Sequence, residues 1–504
     1  MEPLIDRLND DVLLIILSHL KKRDLCALSL TCKHFHMVSS PRLWTVLPID
    51  WEFFVSWWHG NLGTNAHHVR EIVIHLDFDK PRTFPDVLFA TKNIRSLEII
   101  HMSLLYDDPR LSIALAELRE LRTLSCNWIE DEMLPTIQCI PSPNLTSLSL
   151  AYRGKTNACV DLPSIISVIG SFPRLHDLKL EFLKPTTAVD IASYPPFTSI
   201  QQLTLYNVTK PATDLIYLCP NLTSLDLGAD YPFRGNPHGS RPRWRPSPIP
   251  RLTLTVLRPA TRASIVSLLE QWALRAAHVR FAKLWEFTND GMSFTNDGMS
   301  FAKDDASSQL MRILDVLNPR SFHLEIAVVW GAGPSDPTGS LWKEVAAAAP
   351  HLRALVLHVE AFDDRSTESE QWPLTWAPSD ALVAELARLP LVCVHLEADS
   401  ESSYRKPGEA ERQRIRALAA FPEKLATAIP TLRVVGVSDG WLKLEGLRST
   451  QWWRVERGDG DASRSLVELW REDGERALRL VQNEAFSMSD LDDIYSEKCR
   501  YVWG

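Results

Sequence analysis

The chain has 504 residues, 45% of them hydrophobic, with 54 basic against 63 acidic side chains and a net charge of -9. Such a length and apolar content supply two to four domain cores or one extended array, and exclude a disordered chain. The acidic balance argues against a nucleic-acid binder, which is basic over at least one domain. No apolar run reaches the 18 or so residues of a membrane span, so no membrane partner is expected.

The opening segment, Met1 to Arg7, lacks the basic start and apolar core of a signal peptide. Eight cysteines are scattered without a Cys-x-x-Cys pair. They read as reduced core residues of a cytoplasmic or nuclear protein, with neither metal nor cofactor expected.

Residues 8–47 come first in chain order. Leu13, Ile16, Leu17 and Leu20 fall at i, i+3, i+4 and i+7, the spacing of one helical face, while Val12 to Leu17 are all apolar and point around the helix. Asp24 is placed to cap a second helix with the stripe Leu25, Leu28, Cys32 and Phe35. Ser40-Pro41 reads as the start of a third, carrying Leu43 and Trp44. Three short helices in so few residues hold more apolar surface than they can bury among themselves, which predicts a covering partner, either another protein or the rest of this chain.

The order Leu8-x-x-Asp11-Val12, Asp24-Leu25, Leu28-Ser29-Leu30-x-Cys32-Lys33-x-Phe35 and Ser40-Pro41-x-Leu43-Trp44 resembles an F-box, departing from it at Asn9, where the family usually has proline. The resemblance implies docking on the Skp-type adaptor of an SCF-type cullin-RING ubiquitin ligase. It assigns the adaptor contacts to Leu8, Val12, Leu13, Ile16, Leu17, Leu20, Leu25, Leu28, Cys32, Leu43 and Trp44.

Residues 48–68, rich in tryptophan and phenylalanine, read as a packed hinge. From residue 69 an apolar phrase, φ-x-x-φ-x-φ, returns as Val69/Ile72/Ile74, Ile94/Leu97/Ile99, Leu121/Leu124/Cys126, Leu145/Leu148/Leu150, Leu175/Leu178/Leu180, Ile200/Leu203/Leu205 and Leu222/Leu225/Leu227. A return every 22 to 30 residues is the mark of a repeat array. The end of each phrase alternates like a short strand, and helical spacing often precedes it. Prolines 143, 173, 220, 250, 350 and 430 stand two residues ahead of a phrase, where they stop a helix and release the chain extended. These units resemble degenerate leucine-rich repeats. The fold class expected is therefore α/β, an N-terminal three-helix F-box followed by a curved leucine-rich-repeat-like α/β solenoid. The alternative is a globular domain of independent αβ layers.

Residues 231–250 form a proline- and arginine-rich loop, read as solvated or as a clamp for an acidic or phosphorylated ligand. Looser repeats follow over 251–445, with Leu252/Thr255/Leu257, a helix from about Thr261 to Leu284, then Leu352/Leu355/Leu357, Leu391/Val394/Leu396 and Leu432/Val435/Val437. Within them Phe287–Ser293 is copied letter for letter as Phe294–Ser300, a duplicated loop, and 363–380 and 399–411 are charged insertions. Residues 446–504 complete the chain as a cap, with a hairpin of Trp452–Arg457 and Leu466–Arg471 and an acidic, partly ordered tail from Glu484.

Catalytic signatures are weak. Gly291-x-Ser293 and Gly298-x-Ser300 lack the closing glycine of a nucleophile elbow, and Gly331-Ala-Gly333 runs into a turn and so lacks the helix N-terminus that holds a phosphate. Adjacent His67 and His68 would diverge on a strand. In a repeat array, by contrast, the in-between residues of each strand line up on one face. That row would run from Ser96 and Glu98 through Asp177, Lys179, Gln202 and Thr204 to Asp226, with Glu98, Asp177, Lys179, Gln202 and Asp226 as candidate target contacts.

The expectation is a non-enzymatic substrate receptor that binds the Skp-type adaptor at one end and an unidentified protein target at the other. The alternatives are a repeat scaffold without ligase recruitment and a hydrolase with its site in the second half.

Overall fold

The computed structural model describes residues 9–49, 62–75, 83–102, 108–152, 161–185, 189–229, 249–257, 259–272, 274–284, 303–328, 339–361, 377–399, 409–439, 442, 449–457, 464–483, 485–492 and 494. The arginine-rich loop, the duplicated heptads, Gly331-Ala-Gly333 and most of both charged insertions lie outside the described residues. The chain divides into two compact units, one of residues 1–221 with 235–242 and one of 222–234 with 243–504.

The first unit opens with three helices, α1 (Asp10–Ser18), α2 (Lys22–Ser29) and α3 (Lys33–Leu43). Asn9 caps α1, its side chain accepting from the Asp11 amide at 3.2 Å. Asparagine is thus a working cap where the family resemblance leads one to expect proline. The expected boundaries shift at the next two helices. Asp24 lies in the first turn of α2, two residues after its start at Lys22, where a carboxylate complements the helix dipole. The third helix begins at Cys32, whose Sγ accepts from the Phe35 amide, and runs on through Ser40 and Pro41 instead of starting there.

A strand, β1 (Val46–Ile49), follows α3 directly, so Pro48 and Ile49 belong to a sheet and not to a hinge. Strands β2 (Glu71–Ile74), β3 (Ser96–Ile99), β4 (Thr123–Ile129), β5 (Ser147–Tyr152), β6 (Asp177–Glu181) and β7 (Gln202–Tyr206) continue it, and the ladder from β1 to β7 is parallel. One hydrogen-bond device recurs at each step: a carbonyl just ahead of one strand accepts two successive amides of the next. Thr45 takes Arg70 and Glu71, Arg70 takes Arg95 and Ser96, Arg95 takes Arg122 and Thr123, and Arg122 takes Thr146 and Ser147. The register this imposes stacks the phrases, pairing Ile72 with Leu97, Leu124, Leu148, Leu178 and Leu203 in succession. All six are essentially buried, each contributing roughly 1.5–3 kcal/mol.

An aspartate cap with proline one or two residues behind it starts two of the covering helices. Asp108 caps α5 (Pro109–Ala116), one element after α4 (Phe84–Ala90), and Asp161 caps α7 (Leu162–Gly170), one after α6 (Leu134–Gln138). Helix α8 (Lys210–Thr213) closes the series. Pro143, Pro173, Pro220, Pro350 and Pro430 all stand in turns between a helical segment and a strand, as their chemistry requires; Pro250 instead lies within a strand.

The second unit carries the parallel strands β8 (Ser224–Ala229), β9 (Ile249–Leu257), β10 (Ala276–Leu284), β11 (Ser321–Val328), β12 (Ala354–Ala361), β13 (Cys393–Asp399) and β14 (Val434–Ser438). Helices α9 (Pro259–Trp272), α10 (Lys303–Leu317), α11 (Gly339–Ala348), α12 (Asp380–Leu386) and α13 (Glu409–Ala428) alternate with them and pack on one another in order. Two expectations are corrected here. The helix ends at Trp272, and Ala276–Leu284 is a strand whose own phrase is Ala276/Val279/Phe281. The phrase in β9 is Ile249/Leu252/Leu254, three residues ahead of the expected one, since Leu225 pairs with Leu252 and Leu227 with Leu254.

The array turns antiparallel at its end, through β15 (Thr450–Arg457) and β16 (Arg464–Leu469), the hairpin expected from sequence. Helix α14 (Arg471–Gln482) then folds back over the face of the sheet opposite the other helices. Ala354, Cys393 and Val434, at positions that are polar in the first unit, form a core with Trp452, Ala477, Val481, Leu491 and Ile494. Gly474 is needed for this seat, because a Cβ there would lie 2.2 Å from Trp452 Cγ. Within the tail expected to be partly ordered, Met488–Leu491 forms a 3-10 turn in which Ser487 and Asp490 make a capping box.

Candidate protein-interaction surfaces

Burial divides the N-terminal helices differently from their periodicity. Leu13 (3% exposed), Leu17 (2%) and Leu25 (1%) lie in the core of the first unit, where α3 packs on both α1 and α2. Four neighbouring side chains of α1 remain open, Val12 (42%), Leu14 (47%), Ile15 (62%) and Ile16 (45%), together with Leu30 (85%) and Met37 (65%). Leu20, Leu28, Leu43 and Trp44 are half-buried, Cys32 is exposed, and Leu8 lies outside the described residues. Of the eleven adaptor positions inferred from the sequence, Leu13, Leu17 and Leu25 are corrected to structural ones. An exposed apolar cluster of this kind on adjacent helical residues is the usual form of a docking surface.

The open face of the first unit's sheet carries the expected polar row. Ser96 pairs with Thr123, Ser147, Asp177 and Gln202 in turn, and Glu98 with Ser125, Ser149, Lys179 and Thr204. Glu98, Asp177 and Lys179 are half-buried and Gln202 exposed. Ser147 donates to Asp177 at 3.2 Å, and Lys179 pairs with Glu181 at 3.1 Å. Asp226, in the second unit, accepts from Thr255 at 3.2 Å. His67 and His68 form no strand: they sit in a 3-10 turn with their rings 3.7 Å apart.

The second unit presents a histidine-rich counterpart. His358 and His395 donate to the two oxygens of Glu397 at 3.0 and 3.1 Å, which holds that carboxyl well below the usual range. Burial pushes the imidazoles of His278 and His323 down to about 4. His395 also stands 2.9 Å from Ser438 Oγ, so serine, imidazole and carboxylate follow one another as in a hydrolase. The backbone around Ser438 is engaged in the ladders with β13 and β15, so the amides an acyl-transfer site needs for its oxyanion are already spent. The triplet reads as a cross-strand network.

Residues 5–47 match the F-box-like family. They form an F-box-like domain. No curated protein matches the chain. Among solved structures, a Bacteroides fragilis protein is similar at 12% identity and a TM-score of 0.30, covering 49% of this chain and 66% of its own. TLR13, solved in complex with ssRNA13, is similar at 12% identity and a TM-score of 0.30, over 74% of this chain and 56% of its own. This chain therefore spans less than two thirds of either structure, and at such scores neither likeness bears on function.

The F-box-like domain is joined to the leucine-rich-repeat-like ladder without a break, since Thr45 at the end of α3 supplies the first carbonyl of the staircase. Sequence reasoning passed over Leu14, Ile15, Leu30 and Met37. The signal for Leu14 and Ile15 was present in the unbroken apolar run Val12–Leu17, which places side chains on the face that the i, i+3, i+4 stripe leaves free.

Proposed function

We propose that this chain is the substrate-recognition adaptor of an SCF-type cullin-RING ubiquitin ligase, acting in the cytoplasm or nucleus. The F-box-like domain docks a Skp-type adaptor, and the repeats present a target protein on the open sheet face of the first unit, which carries Glu98, Asp177, Lys179 and Gln202; Asp226 is a separate candidate contact in the second unit. Catalysis then belongs to other subunits, and this chain contributes proximity, a large part of the barrier for transfer between two macromolecules. One observation carries the reading: a segment matching the F-box-like family leaves Val12, Ile15 and Ile16 of its first helix uncovered by its own fold.

The test is adaptor co-purification from cells expressing the intact chain or the Ile16→Asp variant. Ile16 is open, so the change spares the core while placing an unpaired charge in the proposed contact, and adaptor recovery should fall roughly 100-fold. Undiminished recovery would favour the runner-up, a repeat scaffold that recruits no ligase.

A further inference from the structure

The rim of the first unit, at the C-terminal ends of β4 to β7, gathers two aromatic residues in the left-handed region and two buried polar oxygens. Trp128 stands at a bulge in the β4–β5 pairing with a backbone φ of 58°, and Phe182 directly after β6 has the same value. A bulky residue in this left-handed region is strained, and such strain concentrates where a surface works. Both rings are nevertheless presented outward, 43% and 36% exposed, with edge contacts to His101 and Tyr206.

Between them lies Tyr152, 5% exposed, paired across the ladder with Ile129. Its phenol oxygen is buried without a hydrogen-bond partner. Buried hydroxyls are nearly always satisfied. The neighbours acting on this one are Asp131 and Asp161, which together with burial push its ionisation upward. Asp131 spends one oxygen on the Asp161 amide, 3.0 Å away, and the other is buried and unpartnered. Burial first raises its carboxyl, the hydrogen bond from the Asp161 amide works against that, and the charges of Asp161 and Glu132 raise it further; no cation is among the causes.

A phenol oxygen and a carboxylate oxygen, both buried and both lacking donors, with an exposed indole three residues ahead of that carboxylate in the chain, define what is missing. It is a group with several N–H donors, a positive charge and an affinity for an aromatic face. We propose that this rim binds an arginine- or lysine-bearing extended segment of a partner protein, its cationic head between Asp131, Asp161 and Tyr152 and its stem across Trp128. The forked donors of a guanidinium suit two such acceptors at once, and its flat face suits the indole. The assignment rests on the reading that this unit presents a target, and supplies the chemistry of that target.

The test uses the full-length chain and two fluorescein-labelled peptides, one of alternating arginine and serine, the other with citrulline in place of arginine, read by anisotropy. The arginine peptide should bind roughly tenfold or more tightly than the citrulline peptide, because only the first carries charge to meet the carboxylates. Asp131→Asn and Tyr152→Phe should each weaken the arginine peptide about tenfold. Tyr152→Phe removes one oxygen that has no partner, so its melting temperature should be no lower than the parent's. A merely structural tyrosine would leave peptide binding unmoved.

Equal binding of the two peptides would overturn the assignment. So would unchanged affinity in both variants, since binding would then be general attraction to an acidic chain. The Ile16→Asp chain separates this site from the adaptor contact: it should bind the arginine peptide as the parent does, and loss of that binding would count against the site. Failure of the parent chain to recover the adaptor would sink the receptor reading alone.

Discussion

Replacing Asp439 by alanine should cost the second unit about 3–5 kcal/mol, the largest effect expected of any single substitution here. Its carboxylate accepts from Arg414 Nη1 at 2.6 Å, and both side chains are wholly buried, the arginine from α13 and the aspartate just after β14. Removing the acid leaves a guanidinium in a site from which water is excluded, and it is this stranded charge that makes the change expensive. The double variant Asp439→Ala with Arg414→Met should recover most of the loss, because an apolar pair has no ion to desolvate. Urea unfolding of the parent, both single variants and the double variant measures the coupling. A loss of under about 1 kcal/mol in the single Asp439 variant would mean that the pair is solvated.

The second large effect is a loss of stability in acid. His278 and His323 have folded-state values of about 4 against an ordinary 6.5, chiefly from burial. Arg251, Arg280 and His323 face the first ring. Arg280, Glu397, Glu325 and His358 face the second. With the folded value depressed, the unfolded chain binds more protons throughout this window. Each ring therefore contributes its full share above pH 6.5, and that share is lost as pH falls toward 4, up to about 3 kcal/mol per ring. Glu397 acts in the same direction at lower pH: its depressed carboxyl contributes stability above its ordinary value of 4.5, and that stability is lost on acidification below it. Denaturant midpoints should fall steadily from pH 6.5 to 4, and His278→Gln with His323→Gln should flatten that slope. A flat parent profile would show that both rings protonate freely in the folded chain.

Most of the ladder was legible because the phrase is a direct imprint of the register. A carbonyl ahead of each strand fixes where the next begins, so buried residues must recur at the same offset, and Ile72, Leu97, Leu124 and Leu148 do. The reading failed where composition blurred the imprint. In β10 the phrase opens on Ala276, and the apolar spacing of α9 runs on toward it with little interruption, so strand and helix merged into one long helix. In β9 the extra Leu257 offered a false frame.

In the F-box-like domain the pattern was less direct. An amphipathic stripe marks what a helix buries, and in α1 it marked Leu13 and Leu17, which the first unit keeps for itself. Of that stripe Ile16 stays open, and it stands beside Val12, Leu14 and Ile15, which the stripe omits. Ser40-Pro41 misled for a related reason, since a proline that suits a first turn also sits in the last turns of α3. The rim around Tyr152 was invisible to the sequence because it depends on a bulge and on two carboxylates thirty residues apart in the chain.

A ligase adaptor is proposed to sit on the uncovered face of the F-box-like domain. Hydroxyl-radical footprinting of the full-length chain, alone and with a purified Skp-type adaptor, tests it most directly. Complex formation with marked protection of Ile15, Ile16, Leu30 and Met37, and little change at the already buried Leu13 and Leu17, is the predicted result. Absence of a complex, or a complex in which those four open side chains are labelled as heavily as before, would contradict the account.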